Sequence, residues 1–143
     1  MLLGEYKHSV DEKGRLAIPV KFRDVLKAGA IITRGLDKSL FIFSLTEWDT
    51  LAKKLIALPL AQGNSRAFAR LMLAGAADVK LDQQGRLLVP DYLRDYAGIG
   101  KQAVVAGLYN RIEVWNAETW QEYKTKTESA SDEIAEKLGE LGI

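Results

Sequence analysis

Short runs in which apolar and polar residues alternate are separated by Asp, Gly and Pro through most of this chain. "YKHSV" (residues 6–10) and "RLAI" (15–18) alternate around the turn "DEKG"; "DVKL" (78–81) and "RLLV" (86–89) do so around "DQQG". A period of two predicts strands, with Leu16 and Ile18 on one buried face and Leu87 and Val89 on another. Each second strand runs into a helical pattern. "PVKFRDVLKAG" stacks Phe22, Val25 and Leu26 on one stripe and stops at Gly29, while "PDYLRDYAG" stacks Leu93, Tyr96 and Ala97 and stops at Gly98. Pro19 and Pro90 fit a first helical position, where a missing N–H is harmless. Two apolar runs follow each helix, "AIIT…LFIF" and "AVVAGL…IEVW", divided by "DKS" and "YNR". The pattern predicts a mixed α+β, β-rich unit of the order β-turn-β-α-β-β, written twice.

The two copies are related residue by residue. A shift of 71 superimposes Asp11 on Asp82, Gly14 on Gly85, Arg15 on Arg86, Leu16 on Leu87, Pro19 on Pro90 and Arg23 on Arg94. One inserted residue later, a shift of 72 matches Gly35 with Gly107 and Trp48 with Trp120. Agreement over such different chemistries marks a duplicated module. A unit of roughly 45 residues buries too little surface to stand alone, so the copies are expected to pack on each other. The expected organisation is a first module over 5–47, a helical linker over 48–75, a second module over 76–119, and a helical, partly mobile acidic tail over 120–143.

Helix signals follow each module. Ser44 and Glu47 form a capping-box pattern, and Asn116 is an expected N-cap. Trp48 and Trp120, early in these helices, are expected to pack in the core rather than stack on bases. In the linker, Arg66 and Arg70 share a face and are expected to be solvated or ion-paired. In the tail, Ile134, Leu138 and Leu141 are spaced for a weak amphipathic helix.

Composition narrows the chemistry. The chain lacks cysteine and has a single histidine, His8, which removes disulfides, thiolate metal sites, multi-histidine sites and a Ser-His-Asp triad. No cofactor is expected. No apolar run approaches the ~18 residues of a membrane span. The opening "MLLGEYKHSV" has no long apolar stretch, so a cytoplasmic protein without a signal peptide is expected. The net charge of +1 is unevenly spread: residues 1–115 carry +5 and residues 116–143 carry −4. A basic body with an acidic tail is compatible with nucleic-acid binding.

The repeated turns are the candidate site. Alternation sets Arg15 and Arg86 opposite the core-facing leucines, where their guanidiniums meet solvent or a partner. An arginine fork fits phosphate oxygens and reads guanine O6 and N7. A two-stranded β-ribbon also fits the DNA major groove. Lys13 adds charge to the first turn, and Lys7 lies across the expected ribbon. Asp11 and Asp82, with Gly14 and Gly85, are expected to support the turns. In the alternative reading, each Asp–Arg pair is scaffolding alone, worth about 0–1 kcal/mol when exposed. The enzymatic reading is a proton-sharing aspartate dyad at a pseudo-twofold axis. Against it, "DEKG" and "DQQG" are a residue longer than the Asp-Thr/Ser-Gly motif of such dyads and lack its hydroxyl.

"DEKGRLAIPVKFRD", "RAFARLMLAGAADVKLDQQGRLLVPDYLRDYAGI" and "EVWNAETW" resemble the bacterial MraZ family of transcriptional regulators, over residues 1 to about 125. The resemblance implies two tandem AbrB-like, swapped-hairpin modules forming a pseudo-twofold barrel with flanking helices. It implies homo-oligomeric rings of about eight or more subunits, closed by repeated contacts. It further implies a nucleoid-associated regulator that binds short direct repeats in double-stranded DNA, in the promoter of its own cell-division and cell-wall operon. Arg15 and Arg86 would contact DNA, while Asp11 and Asp82 support the turns. A structural or protein-binding ring without DNA contact is the alternative.

Overall fold

The structure, a computed structural model, describes residues 1–142. The last residue of the expected tail, Ile143, lies outside the described residues. The first copy comprises β1 (Leu2–Ser9), β2 (Arg15–Ala17), α1 (Val20–Leu26), β3 (Ala30–Arg34), β4 (Leu40–Ser44) and α2 (Leu45–Ile56). Helix α3 (Gly63–Ala69) leads into the second copy: β5 (Ala77–Val79), β6 (Arg86–Leu88), α4 (Asp91–Ala97), β7 (Gln102–Tyr109), β8 (Ile112–Asn116) and α5 (Ala117–Ser129). Helix α6 (Ser131–Lys137) follows. The fold is mixed α+β: six strands form one antiparallel sheet in the order β1-β7-β8-β4-β3-β5, and β2 and β6 form a separate antiparallel pair.

The element order matches the periodicity, but the strand partners do not. The expected β1–β2 and β5–β6 hairpins are absent as ladders. An isolated bridge joins Val10, just past β1, to Leu16 of β2, and β1 itself pairs with β7 from Leu2–Tyr109 to Ser9–Gln102. Likewise β5 leaves its own module and pairs with β3. Alternation determines which face is buried, not which strand lies alongside. Here β2 and β6 pair with each other, which sets Leu16 directly opposite Leu87. Those two, with Ile18 and Val89, are completely buried. Burying a leucine or valine side chain in full is worth about 1.5–3 kcal/mol, which an isolated three-residue hairpin arm cannot capture.

One core fills the side of the sheet that faces β2 and β6, where α1 and α4 contribute Phe22, Leu26, Leu93 and Ala97. Pro19 and Pro90 stand one position earlier than expected, just before their helices, and their carbonyls accept from the Phe22 and Leu93 amides at 2.9 and 3.0 Å. Val25, expected on the buried stripe, is exposed.

The helices α2 and α5 pack at the other side of the sheet through equivalent aromatic pairs. Trp48 meets Phe43 at 5.8 Å between centroids, and Trp120 meets Trp115 at 5.3 Å, so both tryptophans are packing residues. Both expected caps are present: Ser44 accepts from the Glu47 amide and Asn116 from the Thr119 amide. The ion pair Lys124–Glu5, 2.8 Å, ties α5 to β1. After α3 the chain widens into a π-helical turn, Arg70–Ala74, and Thr33 on β3 donates to its Met72 carbonyl at 2.6 Å. Arg66 donates to the Leu60 carbonyl, in keeping with a structural role. Helix α6 contributes no buried side chain. Among the described residues, no helix is long and apolar enough to cross a membrane.

Candidate nucleic-acid interface

Each turn is built around its aspartate. Asp11 Oδ1 accepts from the amides of Lys13 (3.0 Å) and Arg15 (2.9 Å), while Oδ2 accepts from Arg15 Nε at 2.7 Å. The main chain closes the loop, with Gly14 N–H donating to the Asp11 carbonyl and Asp11 N–H to the Arg15 carbonyl. The second copy repeats every bond. Asp82 Oδ1 accepts from the Gln84 and Arg86 amides, and Oδ2 from Arg86 Nε at 2.9 Å. Short acceptor side chains favour such turns because they satisfy amides two residues on. Gly14 and Gly85 take φ of +86° and +75°, a conformation that costs a side-chain-bearing residue about 1–2 kcal/mol.

Pairing of β2 with β6 then brings the two turns together. Leu16 and Leu87 point into the core, so Arg15, Ala17, Arg86 and Leu88 share the outward face of the ribbon. Arg86 Nη1 lies 3.5 Å from Asp11 Oδ2, which makes the two Asp–Arg pairs one cluster. The arginine side chains remain 35% (Arg15) and 27% (Arg86) accessible, enough to donate to a ligand without rearrangement of the core. In each turn Nε carries the bond to aspartate, which leaves the terminal nitrogens of Arg15 for a partner, while Arg86 Nη1 also faces Asp11 and its Nη2 is the nitrogen left over.

Hydrogen bonding sets the charge state of the cluster. The Asp11 carboxyl is held below its ordinary 3.8, first by the Arg15 amide and then by the Arg15 side chain. Asp82 is lowered likewise, first by the Arg86 amide. Both carboxylates are therefore ionised together. A proton-sharing dyad requires one member raised, and neither is.

The other expected residues divide. Lys13 is exposed at the tip of the first turn. Lys7 is exposed but pairs with Val104, whose side chain points to the sheet face away from β2 and β6; it lines a groove with Glu118, Trp120 and Gln121 of α5. It is not brought to the cluster. Lys101 and Arg94 instead line an open cleft beside Asp11 and Glu12, and the Val10 amide donates to the Lys101 carbonyl. Leu88, 53% exposed on the arginine face, was also hidden in the sequence. Its only signal is an apolar residue in the polar phase of "RLLV".

Residues 1–71 and 72–140 each match the family described as "MraZ protein, putative antitoxin-like". The chain is 45% identical to the Transcriptional regulator MraZ of Caldanaerobacter subterraneus subsp. tengcongensis and 48% identical to that of Acetivibrio thermocellus, over the whole of both chains in each case. The protein of the same name from Thermoanaerobacter pseudethanolicus is 46% identical over the same span.

Proposed function

Given that the chain belongs to the MraZ family, we propose that it is a sequence-specific DNA-binding transcriptional regulator, acting on short direct repeats in the promoter of its own cell-division and cell-wall operon. The observation that carries this reading is the joined pair of turns, which presents Arg15 and Arg86 on a single outward face. Arg15, reinforced by Lys13, is the principal contact; Arg86 contributes beside it. Leu88 on the same face offers an apolar contact of the kind that thymine methyl groups accept. Lys7, directed toward α5, stands outside the contact set.

The cluster also favours a ring. Two ionised aspartates offset two arginines, so one subunit supplies little net attraction to a polyanion. Each phosphate neutralised contributes only about one unit of salt dependence. A homo-oligomeric ring that repeats the pair of turns against repeated sites raises affinity through effective concentration. The crossed pairing of β1 with β7, β2 with β6 and β5 with β3 supports reading the modules as swapped hairpins of one pseudo-twofold barrel. Such a protein resides in the cytoplasm on the nucleoid.

The test is a gel shift with the protein's own promoter fragment against scrambled competitor DNA. Retention of the promoter complex and steep loss with added salt are expected. Indifference to both DNAs would leave a ring that engages proteins alone.

A further inference from the structure

Arg23 on α1 and Arg94 on α4 occupy equivalent places in the two modules, and each does something in the other module. Arg23 Nε donates to the Ile18 carbonyl at 2.9 Å, and the Ile18 amide donates to the Gly85 carbonyl of the second turn at 3.0 Å. The mirror arrangement has Arg94 Nε donating to the Val89 carbonyl at 3.1 Å and the Val89 amide donating to the Gly14 carbonyl of the first turn at 2.8 Å. The guanidiniums complete the crossing. A Cβ placed on Gly85 would sit 2.3 Å from Arg23 Cζ, and one on Gly14 would sit 2.6 Å from Arg94 Nε. Each arginine therefore lies against the glycine of the opposite turn, in space that exists because that residue has no side chain. Arg94 is fixed further by Asp91.

We propose that Arg23 and Arg94 are positioning residues that brace the reading turns crosswise: Arg94 of the second module holds the Asp11–Arg15 turn, and Arg23 of the first holds the Asp82–Arg86 turn. For its consequence on DNA this rests on the function proposed above; the brace itself does not. The requirement is for a guanidinium. Its Nε–H fixes the root of the group on a carbonyl while the planar head covers the glycine. Lysine has the charge but no donor at that position. Each turn is closed by its own hydrogen bonds, while the opposite module's guanidinium packs against its glycine, so the brace couples the duplicated halves.

Amide exchange in the free protein tests the brace. Arg94→Gln is expected to speed exchange several-fold at Lys13, Gly14 and Arg15, more than 75 residues away in sequence, with smaller changes at Gln84, Gly85 and Arg86. Arg23→Gln gives the reverse pattern, and the lysine variants behave like the glutamine ones. Changes confined to the substituted module, or full rescue by lysine, would overturn the proposal. Because a variant can lose its fold, the wild-type Nε–H protons of Arg23 and Arg94 provide a second measure. They are expected to exchange more slowly than those of Arg66 and Arg70, and equal rates would refute the brace. On DNA, Arg94→Gln is expected to add no loss in an Arg15→Ala background and a clear loss in an Arg86→Ala background. Equal losses in both would make Arg94 a direct phosphate contact instead. If wild-type protein binds no DNA, the proposed function fails while the exchange measurements still decide the brace.

Discussion

Arg86 reaches out of its own turn to within 3.5 Å of the Asp11 carboxylate, which already holds Arg15 at 2.7 Å. One carboxylate thus orients both guanidiniums, while Asp82 orients only Arg86. The pseudo-symmetry of the sequence is broken here, and the break makes the two aspartates unequal. Asp11→Asn is expected to weaken promoter binding more than Asp82→Asn, because it loosens two forks instead of one. Binding isotherms of the two variants on one promoter fragment check this; equal losses would assign the turns independent roles.

Removing a guanidinium removes donors without touching the core, since Leu16 and Leu87 lie on the opposite face of the ribbon. Arg15→Ala is expected to weaken each DNA contact by about 1–3 kcal/mol, the range for a bidentate base contact. Light scattering of the same variant is expected to show unchanged assembly. Loss of assembly would reassign Arg15 to a subunit contact.

A charge-balanced cluster predicts weak binding to one site. Affinity for a probe with a single repeat is expected to be far below that for probes with two or three, because later contacts are made at high effective concentration. Titration of three probes that differ only in repeat number measures the increment. Equal affinities would remove the need for a ring.

The duplication, the buried leucines, both helix caps and the aspartate-centred turns could all be read from residue spacing, because each is a local property. Asp11 and Arg15 are four residues apart and find each other through one turn. Strand partnership was not legible. The period-two pattern of "YKHSV" is satisfied equally by its neighbour "RLAI" and by β7 from the other copy, and only packing decides between them. The same gap concealed Lys101 and the Arg94 contact at Gly14, both of which depend on which module lies across the axis. Lys7, expected across a local ribbon from the turn, pairs with Val104 and lies beside α5, because β1 takes β7 as its partner.

Acid is expected to destabilise the molecule in two separated stages. His8 is lowered from 6.5, first by burial and then by the charge of Arg23. The unfolded chain therefore binds that proton before the folded one, and stability declines as pH falls below 6.5. The turn carboxylates are also lowered, but from 3.8, so their contribution is fully present above that value and is lost as pH falls through their folded-state values. Urea midpoints are expected to drop modestly below pH 6.5 and again below 3.8. His8→Gln removes the first step. A single transition near pH 5 would contradict both assignments.

The crossed pairing has a consequence for the halves of the chain. The first copy supplies β1 as the edge partner of β7, and the second supplies β5 as the edge partner of β3. Cutting between them exposes Leu16, Ile18, Leu87 and Val89 at once, all completely buried in the intact chain. Residues 1–75 alone are therefore expected to give no folded monomer; the fragment either stays unfolded or pairs with a second copy through its own β2. Mixing fragments 1–75 and 76–143 is expected to restore the ordered structure as a one-to-one complex. Circular dichroism with light scattering distinguishes these states. A folded monomeric 1–75 fragment would show that each module completes its own core, and the cross-module pairing would then be dispensable for the fold.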